Sequence, residues 1–343
     1  MARGPGHDTT RAMQFAVGIA GGQVRHDQKG VDAIVEQAVL AEALGYDVAF
    51  VPDHYVFEAL GKLQTETPAY ELFFVLATLA QRTTRIRLGS HVACLLFRHP
   101  AMHARLFAQI DEASGGRVIA GLGAGWTQAE FTMMGIPFPS ASERLRMLDE
   151  AVTIMRRLWR EDRVTFAGTH YQVSDAVCLP RPVQAGGPPL MLGGSGGGIL
   201  RRAGEWADVI HMVPRLGDAG TTTLAEINKF SDAALPEKLA RVRAAEAAAR
   251  RPAGSVRFAT TIFNYVPTSS PAETLATAQG LAGIFGSTVE EILRHPVSLI
   301  GTPEEMREEL ARRERTHGLS LLVMNFTTLP QMREFAERVI ARL

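Results

Sequence analysis

Residues 86–126 read IRLGSHVACLLFRHPAMHARLFAQIDEASGGRVIAGLGAGW, and this stretch decides the fold. The runs 86–93 and 117–123 are apolar without strict alternation, as expected of strands buried on both faces. Between them, residues 101–114 carry the spacing of one amphipathic helix. Both strands end in small residues, which leave a flat ligand room to approach the backbone. The stretch therefore predicts a βαβ unit with a binding edge.

The same alternation extends outward in both directions. Further apolar runs lie at 15–19, 48–52, 189–193, 208–213, 256–266 and 319–326, making eight predicted strands. Helical spacing recurs between them, at Val31, Ile34, Val35, Ala38 and Val39 and again at Leu145, Leu148, Val152, Met155 and Trp159. Ser140 with Glu143, and Thr302-Pro303 with Glu305, read as capping boxes that start two of the helices. Eight βα units without an obvious edge strand favour closure over an open doubly wound sheet, so the expected fold is α/β, a single (β/α)8 TIM barrel over 14–343. Residues 1–13 are expected to form a loose tail. Insertions near 58–68, 166–188 and 215–303 are too long for simple βα turns and are expected to shape a site. Within them, 166–177 reads as a small hairpin turning at Gly168, and 224–250 as one long solvated helix.

Composition narrows the function. The chain has 343 residues with 36 basic and 36 acidic side chains, so no net field favours nucleic acid or an anionic membrane. A small molecule is the expected partner. The two cysteines, Cys94 and Cys178, have no metal-ligand or disulfide spacing, and a reducing, cytoplasmic location is expected. The opening MARGPGHDTTRA lacks the apolar core of a signal peptide, and no apolar run is long enough to span a bilayer.

In a barrel, chemistry sits at the C-terminal ends of the strands. That filter selects Asp53-His54 after the second strand, His91 late in the third, Gly123-Ala124-Gly125-Trp126 after the fourth, Gly193–Gly198 after the fifth and His211 at the end of the sixth. His54 has an intrinsic pKa suited to proton transfer but is equally readable as an ordinary loop histidine. The run Gly193, Gly194, Ser195, Gly196, Gly197, Gly198 opens a helix with unhindered N–H groups, which suits a phosphate, or it is a flexible turn. It is neither a Walker loop nor a dinucleotide fingerprint. Gly121–Gly125 is a tight turn or a seat for a flat ring, with Trp126 as a wall or as plain core. His99 and His103, four apart, lack a third ligand, so no metal site is expected. Hydrolase chemistry finds no nucleophile elbow.

Taken together, AEALGYDVAFVPDH at 41–54, RLGSHV at 87–92, FRHPAMHARLFAQIDEASGGRVIAGLGAGW at 97–126, GGSGGG with AGEWAD at 193–208 and IGTPEEM at 300–306 resemble the bacterial luciferase-like monooxygenase superfamily, and within it the branch that uses the deazaflavin coenzyme F420. The resemblance implies a barrel that binds the cofactor ring across its C-terminal mouth. It also implies a non-proline cis peptide at His91-Val92, forming a bulge behind the ring. His54 is then placed by the reactive face and Gly193–Gly198 on the phosphate, while Asp53 either orients His54 or holds the loop. Many relatives carry a small or apolar residue where this chain has His91. Some sugar-phosphate dehydrogenase relatives carry a catalytic acid where this chain has Trp126, which argues against that substrate.

The expected function is accordingly an F420-dependent oxidoreductase, moving a hydride between deazaflavin C5 and an activated C=C, C=N or C=O bond, or from an alcohol, with His54 or His91 handling the proton. Reduced F420 is the expected cofactor form, with FMN and oxygen activation as the alternative chemistry and a non-catalytic flavin binder as a third. A homodimer and a separate cofactor reductase are implied by the family. The substrate is expected to be a small molecule or a modified peptide, and Phe57, Phe97, Phe131, Phe138 and Phe263 are candidates for an apolar pocket.

Overall fold

Alternation along the strands sorts the side chains into two cores. Phe15, Val17, Ala49, Val51, Leu88, Val118, Ala120, Leu122, Leu190, Leu192, Ile210, Met212, Phe258 and Ile262 pack outward against helices. Ala16, Val48, Phe50, Ile119, Met191, Val209, Ala259, Leu321 and Val323 form a separate inner cluster. Two apolar faces on every strand are what a closed barrel ringed by helices requires.

The computed structural model describes residues 13–19, 30–59, 62–214 and 223–343. Its barrel strands are β1 (Gln14–Gly18), β2 (Val48–Val51), β3 (Arg87–Ser90), β4 (Val118–Gly123), β5 (Leu190–Gly193), β6 (Val209–Met212), β7 (Arg257–Ile262) and β8 (Leu319–Met324). Each pairs in parallel with its neighbours in chain order, and β8 returns to β1, so the sheet closes. The returning helices are α1 (Val31–Ala43), α2 (Leu72–Arg82), α3 (Pro100–Ala113), α4 (Ala141–Arg160), α5 (Gly197–Trp206), α6 (Leu235–Ala248), α7 (Pro303–His317) and α8 (Leu329–Arg338). Thr302 and Glu305 form a reciprocal capping box on α7, and Ser140 accepts from the Glu143 N–H on α4.

The third strand departs from the continuous run expected over 86–93. It stops at Ser90, passes through a cis His91-Val92 peptide, and resumes as Ala93–Cys94 on the rim of β4. Of the three insertions, 166–188 spans the height of the barrel wall, since Tyr171 packs against His99 at the start of α3 while its far end reaches the opposite face. It links the end of α4 to the start of β5, and its hairpin, Val164–Ala167 with Gln172–Ala176, is followed by Gln184, which bonds Asp111, the Arg87 guanidinium and the Val118 carbonyl. Those partners lie where α3 ends and β3 and β4 begin, on the N-terminal face of the barrel. The connection at 58–68 holds a short hairpin, Phe57–Ala59 with Lys62–Gln64. The 215–303 region carries a small core of its own, Ala278, Ala282, Ile292 and Ile300, under the helices Pro271–Phe285 and Val289–Arg294.

The single helix expected over 224–250 is instead broken. Leu224–Lys229 ends where Phe230 turns inward to 1 % exposure, and α6 restarts after Ala234 with Pro236 in its first turn, where a missing N–H does no harm. Its Leu235, Val242 and Glu246 are buried, so α6 is not a solvated helix. Apart from Met13, which is buried in the core, the expected tail falls outside the described residues.

Candidate active site

At the top of the barrel His91, just past β3, meets His211 and Thr261 from the inward positions of β6 and β7. Their polar atoms form a triangle, with Nε2 of His91 3.0 Å from Nε2 of His211, and Thr261 Oγ1 2.8 Å from His211 and 3.4 Å from His91. The His91 ring lies 5.4 Å from that of Phe50, which belongs to the inner core. Burial pushes His91 down to about 4 and His211 well below the ordinary imidazole range, so both are neutral near pH 7. His91 therefore points into the barrel, and its Nε2 is shared with His211 and Thr261.

Val92 follows His91 through the cis peptide. A Cβ on Gly123 would stand 2.7 Å from Val92 Cγ2, and one on Gly193 would stand 3.0 and 3.1 Å from its two methyl groups. The strand ends of β4 and β5 are therefore glycine because Val92 fills the space between them. Gly125, at φ +76°, is restricted twice over, since a Cβ there would also meet Phe131 at 2.7 Å.

On the rim, His54 follows β2. Its ring lies 5.8 Å from that of Phe57 and 5.6 Å from that of Trp126, with 21 % of the side chain open to solvent. The carboxylate that meets it is not Asp53. Asp53 Oδ1 and Oδ2 take both terminal nitrogens of Arg98, at 2.9 and 2.8 Å, and Oδ2 also accepts from the Cys94 N–H at 2.9 Å. Arg98 goes on to Glu71 at 2.6 Å. Asp53 thus ties the β2 loop to the resumed third strand. The partner of His54 is Glu130, which lies 76 residues away on the helix Gln128–Met134, with its carboxylate 3.1 and 3.2 Å from Nδ1. Sequence reasoning did not select it.

Four of the five candidate phenylalanines join this wall. Phe57 flanks His54, while Tyr55, Phe97, Phe131 and Phe138 run ring to ring at 4.8 to 5.1 Å. Phe131 is fully buried and Phe263, at the end of β7, is exposed. His99 caps α3 and faces Tyr171, and His103 is buried between Phe73 and Phe107. Among the described residues no three His, Cys, Asp or Glu side chains gather as metal ligands, and no helix is long and apolar enough to cross a membrane.

Gly193–Gly198 meets the same rim. Gly194, at φ +129°, gives its N–H to the His211 carbonyl at 2.9 Å, and α5 then starts at Gly197 with no side-chain cap. The first N–H groups of a helix have no intrahelical acceptor. Beside them Ser195, 7 % exposed, carries an Oγ with no hydrogen-bond partner, as does buried Thr127 next to Trp126. A Cβ on Gly196 would meet nothing within 4 Å, and on Gly197 it would stand 3.4 Å from a terminal nitrogen of Arg241. Donors without acceptors and open backbone are the chemistry of an anion cradle. The residues present fit a flat cofactor with a phosphate tail.

Residues 13–286 match the luciferase-like monooxygenase family. Over 186 residues the chain is 36 % identical to the F420-dependent glucose-6-phosphate dehydrogenase of Microbacterium testaceum strain StLB037, covering 53 % of this chain and 52 % of that one. The chain thus spans about half the length of the curated relatives it matches. Its structure is similar to that of an F420-dependent secondary alcohol dehydrogenase in complex with an F420-acetone adduct, with TM-score 0.73 and 20 % identity over 96 % of this chain and 98 % of that one. It is also similar to the EDTA monooxygenase of Chelativorans sp. BNC1, with TM-score 0.75 and 17 % identity over 97 % and 93 % of the two chains. These structural likenesses speak for the barrel. With most of its length inside the family match and the closed eightfold sheet to go with it, the chain belongs to the luciferase-like monooxygenase family.

Proposed function

We propose that this protein is an F420-dependent oxidoreductase acting on a small, uncharged organic substrate, by oxidation of an alcohol or reduction of an activated C=O, C=N or C=C bond. The observation that carries the reading is that His54, set between Phe57 and Trp126, opens on the same rim as the uncapped glycine start of α5 with its unbonded Ser195 hydroxyl. When bound, F420 supplies the hydride acceptor or donor. The protein's share is position and proton transfer. Val92, Gly123 and Gly193 give the ring a flat seat, Ser195 and the Gly197–Gly198 N–H groups hold the phosphate, and His54 takes or gives the substrate's proton.

The wall around His54 favours an apolar substrate. Of the cations there, Arg98 is already neutralised by Asp53 and Glu71, Arg144 lies over the Phe138 ring and donates to the Pro139 carbonyl, and Trp126 brings no charge to meet a sugar phosphate. His91 supports the seat in this reading, because its Nε2 is engaged below the mouth. A homodimer served by a separate cofactor reductase belongs to the same proposal, on the strength of the family.

The test is titration of the purified protein with F420 and with FMN in both redox states, followed by turnover of F420 with 2-propanol and with glucose 6-phosphate. The proposal expects tight F420 binding and reduction of F420 by the alcohol. Tight FMN binding with none for F420 would replace it with two-component monooxygenation. Stoichiometric F420 binding without hydride exchange would leave a binding protein.

A further inference from the structure

Three donors converge on one buried carboxylate. Glu130, 2 % exposed, accepts on Oε1 from the backbone N–H of Tyr55 at 2.7 Å and of Val56 at 3.2 Å, and both its oxygens lie within 3.2 Å of His54 Nδ1. Backbone N–H groups only donate, and an ionised carboxylate only accepts. The hydrogen on the remaining edge therefore belongs to His54 Nδ1.

We infer that Glu130 is the positioning residue of the proposed reaction, holding His54 in the tautomer that carries its hydrogen on Nδ1 and leaves the Nε2 lone pair for the substrate. The inference rests on the oxidoreductase reading for the substrate, but not for the location of the proton. A neutral imidazole has one N–H, so fixing it on Nδ1 makes Nε2 an acceptor. In alcohol oxidation the O–H bond breaks and its proton passes to Nε2 of His54. The carbinol C–H electron pair leaves with its hydrogen as hydride to oxidised F420, and the C=O bond forms. The alcohol is oxidised, F420 is reduced, and the imidazolium that results donates from Nδ1 to a carboxylate already in place. The two backbone bonds make the arrangement rigid, because the segment that carries His54 is pinned by the same carboxylate that receives its hydrogen. Asp53 cannot serve, since its carboxylate is taken by Arg98 and Cys94.

Glu130→Gln separates this role from simple support. Its amide oxygen still accepts from Tyr55 and Val56, but its NH2 group faces Nδ1 as a donor and forces the hydrogen to Nε2. The equivalent change in a serine-protease triad lowers kcat about 10⁴-fold, and because the ring here is partly open the expected fall is about 100-fold or more. With 15N-histidine-labelled protein, long-range 1H–15N spectra at a pH where the imidazoles are neutral read the tautomer directly, the His54 resonance being assigned with His54→Asn.

The expected result is an Nδ1–H tautomer in the wild type and in Glu130→Asp, a reversed tautomer in Glu130→Gln, and loss of kcat for 2-propanol in Glu130→Gln with F420 affinity within about twofold of wild type. An unreversed tautomer in Glu130→Gln, a reversed one with kcat within about threefold of wild type, or joint loss of kcat and F420 binding would overturn the inference. If Glu130→Gln fails to fold, a Glu130→Asp protein whose His54 carries its hydrogen on Nε2 overturns it and the Nδ1–H form supports it. A wild type that never turns over F420 strikes the proposed function, while the spectra still decide where the proton sits.

Discussion

Replacing Gly123 by alanine drives a methyl group into Val92. The new Cβ stands 2.7 Å from Val92 Cγ2, about 1 Å inside the separation at which two carbon atoms rest. Val92 is β-branched, so it has few rotamers by which to move aside. Overpacking of this kind costs about 1–3 kcal/mol, while the lost freedom of glycine in the unfolded chain returns about 0.4–1 kcal/mol. The net effect is a loss of about 1–2 kcal/mol. With an m-value of about 3 kcal/mol per molar urea, the midpoint falls by ~0.3–0.7 M. Val92→Ala removes both methyl groups, so in that background Gly123→Ala should be neutral or slightly stabilising. The double-mutant cycle then shows a coupling of about 1–2 kcal/mol. Simple additivity, with Gly123→Ala costing the same whether or not Val92 is present, would refute the account of Val92 as a wedge between two glycines.

Ser195→Ala removes a buried hydroxyl that has no partner in the free protein. It should leave urea stability unchanged or slightly raised, yet weaken F420 binding about fivefold, the worth of one hydrogen bond. Equal affinity in both proteins would take Ser195 out of the cradle. Glu246, 1 % exposed, accepts from the N–H groups of Gly254 and Val256, the Ser255 hydroxyl and Arg243. Glu246→Ala should cost about 2–4 kcal/mol in urea unfolding while F420 affinity, measured by titration, stays put. Stability should also fall in acid. His91 is pushed down to about 4 and His103 to about 3, chiefly by burial, so between those values and the ordinary 6.5 the unfolded chain binds more protons than the folded one. The stabilisation is complete above pH 6.5 and is lost as pH falls toward 4, with His91 alone accounting for about 3 kcal/mol. Identical urea midpoints at pH 7.5 and pH 5 would contradict this.

The strands and most of the helices were legible because their signals are local. Apolar runs of four to eight residues, helical spacing and Thr302 with Glu305 each lie within one short window. Where the local signal misled, a tertiary contact decided. Residues 224–250 have the composition of one solvated helix, but burial of Phe230 breaks it and the packing of α6 hides Val242 and Glu246. Within the 166–188 insertion, only the fold shows that Gln184 bonds the starting ends of β3 and β4.

The sequence by itself determined the closed barrel, the rim on which His54, Trp126 and Gly193–Gly198 stand, and the resemblance that led to F420. Periodicity, glycine placement and motif order are properties of neighbouring residues, and a one-dimensional reading can see them. Only the tertiary structure decided which carboxylate serves His54 and which imidazole is buried. Glu130 lies 76 residues from His54 and His211 lies 120 from His91, and no spacing rule spans such gaps. Asp53, adjacent in the chain, was the natural candidate, but Arg98 claims its oxygens first. Barrel closure brings side chains from the ends of separate strands within hydrogen-bond range, and only there are their donors and acceptors matched.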